Sequence, residues 1–247
     1  MKTPLAIAVV ALAASSAFAE PLVFESAETP AALIELFSSE GCSSCPPAEA
    51  WVSALKGRPD LWKSVVPVVF HVDYWDNLGW PDRFASRAFT ERQRRYANAW
   101  RSESVYTPGF VVNGLEWRGW FDREPLPGPK PANAGKLRVT LRDRGHADIV
   151  FAPAGAAPKS ALVEVALLGG DIASDVRSGE NGGRRLQHDF VALHLATAAL
   201  GLEGNRLTAT IVLPEKTAAL PNALAAWVKT GDSQEPIQAT GGWLKSR

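Results

Sequence analysis

The sequence predicts an α/β domain followed by an all-β sandwich, and three observations carry that expectation. Up to about residue 122, apolar runs of strand length alternate with stretches of helical period. From Phe121 to Gly135 the chain holds four prolines and no apolar periodicity, which reads as a linker. Beyond it, seven short β-type runs are separated by turn residues, the pattern of a sandwich. The expected organisation is a leader over 1–19, an α/β domain over 20–122, a proline-rich linker over 123–135 and a β-sandwich over 136–247.

The leader comes first. Lys2 precedes an apolar run from Leu5 to Ala14, and Ala17-Phe18-Ala19 offers small residues where a signal peptidase reads. The run is shorter than the ~20 residues a membrane span needs. The chain is therefore expected to be exported, periplasmic or secreted, with Glu20 as the new N-terminus. The 26 basic and 26 acidic side chains balance, so no long-range field gathers nucleic acid or an anionic membrane.

The elements of the first part follow in order. Ala32 to Phe37 is an apolar run containing one Glu, suited to a buried strand. Cys42 and Cys45, the only cysteines, come next in "EGCSSCPP". Ala48, Val52 and Leu55 share one face of a short helix. Ser64 to Val72 is a second strand, with Pro67 expected at its start or at a bulge. Pro81 to Trp100 has helical period, broken on its apolar face only by Arg92 and Gln93, with Asp82 as the expected start. Val105 to Gly114 is a strand entered through Thr107-Pro108 and leaving by an Asn113-Gly114 turn into a hairpin.

In an exported chain, cysteines usually form several stabilising pairs. Here two sit three residues apart, and closing so short a loop restricts the unfolded chain little. Reactivity explains the pair better. A strand running into Cys-x-x-Cys at the mouth of a helix places Cys42 where free N–H groups favour a thiolate and Cys45 where it can resolve a mixed disulfide. Pro46 and Pro47 oppose this: they bias Cys45 to extended backbone, remove two donors and are expected to delay the helix. His71 and Asp73 are candidate proton shuttles, and His71 could join the thiols in a metal site.

Strand, CxxC, helix, and a later Thr107-Pro108 resemble the thioredoxin-like oxidoreductases. More specifically, "LIELFSSEGCSSCPPAEAWVSAL", "VVFHVDYWDNLGWPDRFASRAFTERQRRYA", "VYTPGFVVNG" and "GENGGRRLQHDFV" are similar to secreted thioredoxin-like proteins known as domain of unknown function 1223. The resemblance implies a thioredoxin-like fold with Thr107-Pro108 opposite Cys42 and Cys45, the peptide before Pro108 aligning a substrate chain. It also makes Glu35 the candidate buried carboxylate beside the pair. One departure is that residues after the hairpin cannot form the long closing helix of that fold.

The expected activity is thiol–disulfide exchange on protein thiols or disulfides, with Cys42, Cys45, Thr107, Pro108, Glu35 and His71 as site residues and no cofactor or metal required. The alternatives are a copper chaperone or sensor using Cys42, Cys45 and His71, or a non-catalytic secreted binding protein. His188 and His194 are expected to be structural.

Overall fold

A computed structural model describes residues 17–128, 132–143, 145–231 and 233–244. The expected leader lies almost wholly outside them. Chain order runs through β1 (Ala17–Glu25), β2 (Ala32–Ser38), α1 (Pro46–Ala54), β3 (Val65–His71), α2 (Arg87–Ala99), β4 (Gly109–Val112) and β5 (Leu115–Glu116). It continues with β6 (Lys136–Asp143), β7 (His146–Ala152), β8 (Ala161–Gly169), β9 (Ile172–Asp175) and β10 (Arg185–His188). The last elements are β11 (Val191–Ala199), β12 (Gly201–Glu203), β13 (Arg206–Val212), β14 (Ala223–Thr230) and β15 (Pro236–Trp243).

These strands overturn the predicted fold class. Eight of them form one sheet in the order β15-β14-β8-β11-β3-β2-β4-β5, so segments from both sides of the proline-rich stretch share a single ladder. The join is the parallel pairing of β3 with β11, where Val69 N–H donates to the Phe190 carbonyl at 2.8 Å. A second sheet, β1-β6-β7-β13-β12, includes the N-terminal strand, and β9 with β10 makes a separate hairpin. The molecule is mostly β, with two α-helices among the described residues. It is not an α/β thioredoxin-like domain followed by a β-sandwich.

Burial explains the merger. In β8, Val163, Val165 and Leu167 pack toward the five-stranded sheet, while Ala166 and Leu168 join the core that contains β2, β3 and the helices. β14 divides in the same way, with Leu224, Ala226 and Val228 on one side and Ala223, Ala225 and Trp227 on the other. Strands buried on both faces are central strands. Covering them takes the five-stranded sheet on one side and the N-terminal segment's core on the other.

Local chemistry sets several details. Pro67 sits inside β3, where the ladder continues from Ile34 opposite it. Its missing N–H costs nothing, because it points like that of Val69 toward β11, which pairs with β3 only at Val69. Ser86, not Asp82, caps α2: its backbone is extended and its Oγ accepts from Ala88 N–H. Asn113 and Gly114 both take positive φ, as a tight hairpin turn requires.

Arg92, which interrupts the apolar face of α2, is itself buried. It donates to Glu35 at 2.6 Å and to both oxygens of Glu164 at 3.0 Å. Trp227 Nε1 donates to the same Glu164 at 2.6 Å, and Tyr96 donates to Glu35. Removing one partner from such a buried pair costs ~3–5 kcal/mol, since it strands the other charge. This network ties α2 to β2, β8 and β14.

Candidate functional site

β2 ends at Ser38 and delivers the loop that carries both cysteines. Cys42 and Cys45 are joined in a disulfide with Cα atoms 5.4 Å apart, and both are fully buried. Ser43 and Ser44 between them are exposed, with Ser44 Oγ 3.4 Å from Cys42 Sγ. Gly41 approaches Trp75 closely: a Cβ on it would stand 3.0 Å from Trp75 Cβ, so a larger residue would push the tryptophan back.

The double proline does not delay the helix. Pro46 and Pro47 are its first two residues, and Cys45 is the N-cap in right-handed helical backbone rather than extended. First-turn N–H groups have no partner within a helix, so proline loses little there. The Cys45 carbonyl accepts from Ala48 at 2.9 Å and Glu49 at 3.1 Å. The consequence is chemical. The first two donors of the helix mouth are missing and the next two are occupied, so no free backbone N–H of that turn is left for Cys42.

Thr107-Pro108 lies at the head of β4. The peptide is cis, and pairing of Phe37 with Gly109 sets Pro108 beside the end of β2 from which the CxxC loop leaves. Trp75 links the two segments, abutting Gly41 while its Nε1 donates to Thr107 Oγ1 at 2.8 Å. Glu35 lies elsewhere. Successive strand residues alternate faces, and Ser38 of β2 reaches α1 through Glu49 whereas Glu35 points the opposite way, into the Arg92 pair on α2. The structure therefore groups Cys42, Cys45, Thr107, Pro108 and His71 on one side and sets Glu35 apart.

His71 ends β3 and faces α1. Its Nδ1 lies 2.6 Å from Asp82 Oδ2, and its Nε2 3.9 Å from Glu49 Oε1. His188, from the end of β10, joins it with ring centroids 5.2 Å apart. His188 Nδ1 is 2.5 Å from Glu49 Oε2. Its Nε2 is 3.2 Å from Glu40 Oε1, within ion-pair distance but outside hydrogen-bond geometry. Ser38 Oγ donates to Glu49 at 2.5 Å, and Trp80 Nε1 to Glu40 at 2.6 Å. Two imidazoles and three carboxylates thus lie buried under the CxxC loop.

Burial alone would push the His188 imidazole down, but the Glu40 and Glu49 carboxylates raise it to about 10. His71 likewise rises despite burial, because Asp82 and Glu49 face it. Burial raises carboxylates, yet Asp82 falls to about 2 beside His71, and Glu40 and Glu49 are also lowered by His188.

A C-terminal loop closes the site. Asn181 donates from Nδ2 to the carbonyls of Glu40 at 2.9 Å and Cys42 at 3.0 Å. Glu180 accepts from Ser43 N–H at 3.1 Å, and Ser178 Oγ donates to the Gly79 carbonyl at 2.5 Å. Glu40, Glu49, Asp82 and Asn181 were not legible as site residues, since each reads locally as a turn, helix-start or loop residue. His194, by contrast, lies away on β11.

Comparison with curated proteins finds no match. A crystal structure of a protein from Agrobacterium tumefaciens is similar over 88% of this chain and 95% of its own, with a TM-score of 0.58 and 25% identity. HBP35 of Porphyromonas gingivalis is similar over 89% of this chain and 76% of its own, with a TM-score of 0.59; at 14% identity that likeness is one of fold alone. A family model described as "Protein of unknown function (DUF1223)" matches residues 33–229, which takes in both cysteines, both site histidines and the closing loop, and the chain belongs to that family.

Proposed function

We propose that the protein is an exported thiol–disulfide exchange protein acting on protein thiols or disulfides through Cys42 and Cys45. The observation that carries this reading is the placement of the pair. A disulfide at the N-cap of α1 lies at the end of β2, beside Thr107-Pro108 at the head of the neighbouring strand. Its short loop contributes little to stability, which leaves reactivity as the better reason for the bond.

From the oxidised form, a partner thiolate attacks Cys42 Sγ. The partner–Cys42 bond forms as the Cys42–Cys45 bond breaks, and Cys45 leaves as a thiolate that takes up a proton. A second partner thiolate then attacks the partner's sulfur, forming a partner disulfide and releasing Cys42. The partner loses two electrons and the pair gains them; the reverse sequence reduces a partner disulfide. Because Cys42 is fully buried, attack requires the chain around the pair to move and open a path to Sγ.

The test is equilibration with glutathione to obtain the reduction potential, paired with oxidation and reduction of a model protein. Exchange that disappears in Cys42→Ser is the expected result. A pair that neither equilibrates nor traps a mixed disulfide sinks the reading. It would favour a second one, that the bond only shapes a loop in a binding protein, which the complete burial of both sulfurs supports.

A further inference from the structure

His71 Nε2 is buried without a hydrogen-bond partner among the described residues and faces the Glu49–His188 pair, 3.9 Å from Glu49 Oε1. An unpartnered buried polar atom costs ~1–3 kcal/mol, so one aimed at a buried carboxylate and a second imidazole calls for an explanation. Donor atoms of Glu49, His71 and His188 all lie within 4.8 Å of one another.

The surroundings are those of a ligand set. A metal-binding histidine commonly donates its other ring N–H to a carboxylate, which fixes the ring and the tautomer. Asp82 holds His71 Nδ1, which turns Nε2 toward Glu49, and Glu40 lies 3.2 Å from His188 Nε2 while Nδ1 of the same ring faces Glu49. Phe84 packs edge-on against both rings at 5.7 Å, giving the donors an apolar neighbour.

Charge also fits. Three carboxylates with two neutral imidazoles carry −3, and burial of that charge demands compensation. One dication supplies the same two positive charges that two imidazolium protons would. Access is short on two sides. A surface cavity of about 280 Å³ between α1 and β10 reaches Glu49, and another of about 500 Å³, lined by Trp80 and Arg83, reaches Glu40.

We propose that His71 through Nε2, His188 through Nδ1 and Glu49 form a binding site for a divalent transition-metal cation of the zinc class beneath the CxxC loop, with Asp82 and Glu40 holding the outer nitrogens of the two rings. Imidazole and carboxylate together suit zinc, whose tetrahedral donors at ~2.0–2.2 Å stand a little over 3 Å apart. The donor atoms of His71, His188 and Glu49 lie within 4.8 Å of one another, and His71 needs to close on Glu49 from 3.9 Å. The sulfurs, tied to each other, take no part. The site is therefore independent of the exchange reading and distinct from a Cys42-Cys45-His71 centre.

The test is titration of the purified, oxidised full chain with Zn²⁺ by calorimetry, with bound metal counted after dialysis. One tightly held equivalent is expected, unchanged in the Cys42→Ser/Cys45→Ser double variant. His71→Gln and His188→Gln should weaken it at least 100-fold, and Asp82→Asn, which only orients His71, by about 10–100-fold. Circular dichroism checks folding. If the histidine variants do not fold, Asp82→Asn and Glu40→Gln decide, and unchanged affinity in both overturns the proposal. So does a wild-type chain that takes up no stoichiometric zinc, or loss of zinc in the cysteine variant.

Discussion

Glu164 is buried between Arg92, Lys229 and Trp227, with Lys229 Nζ 3.6 Å from Oε1. Burial alone would raise its carboxyl, but the Arg92 guanidinium and the Lys229 ammonium hold it below the ordinary 4.5. A carboxyl depressed in the folded state gives stability that is complete above its unfolded value and lost as pH falls through its folded value. Unfolding free energy should therefore fall as the solution is acidified below about pH 4.5, partly through this residue. Glu164→Gln should be ~3–5 kcal/mol less stable at neutral pH and show a shallower acid slope than wild type. Denaturant titrations from pH 3 to 7 measure both, and parallel slopes would refute the assignment. None of this was visible in the residue string, where Arg92 looked like a flaw in an apolar face and Glu35 like a partner of the cysteines.

Helix α1 was legible to within two residues from Ala48, Val52 and Leu55, yet its chemistry was not. The prolines start the helix on time and instead strip its mouth of donors. Pro47→Ala restores one N–H at the second helical position. Groups at a helix N-terminus gain ~0.3–1 kcal/mol from the end charge, so reduced Cys42 should alkylate about two- to fivefold faster at neutral pH. An unchanged rate would show that the missing donor does not limit its reactivity. Most strands of the second half were also legible, because alternating or continuous apolar runs between turns mark them whatever sheet they join. The hairpin of β9 and β10 was missed. Its residues are polar and Gly-rich at one end, and it is held by contacts with α1 and the CxxC loop rather than by its own apolar pattern.

At the scale of the whole molecule, the eight-stranded sheet makes the two halves interdependent. Without residues after 122, β3 would lose β11 at its outer edge, and Glu35 and Arg92 would lose Glu164. A chain of residues 20–122 is expected not to fold alone, and the full chain to unfold in one transition by calorimetry. Two separated transitions, or a 20–122 fragment with dispersed amide NMR signals, would contradict this. No helix among the described residues is long and apolar enough to cross a membrane.

What the sequence determined by itself was local: which segments are strand or helix, where the chain turns, and that two cysteines three apart sit between a strand and a helix. These follow from side-chain periodicity and turn chemistry, which act over a few residues. What the tertiary structure decided was pairing. Nothing in Val69 or Val191 announces that they will lie side by side across 122 positions. Nothing in Glu49 or His188 announces that they will meet under a disulfide. Strand partners and buried ion networks are set by how whole faces cover one another, and that information belongs to no single stretch of chain.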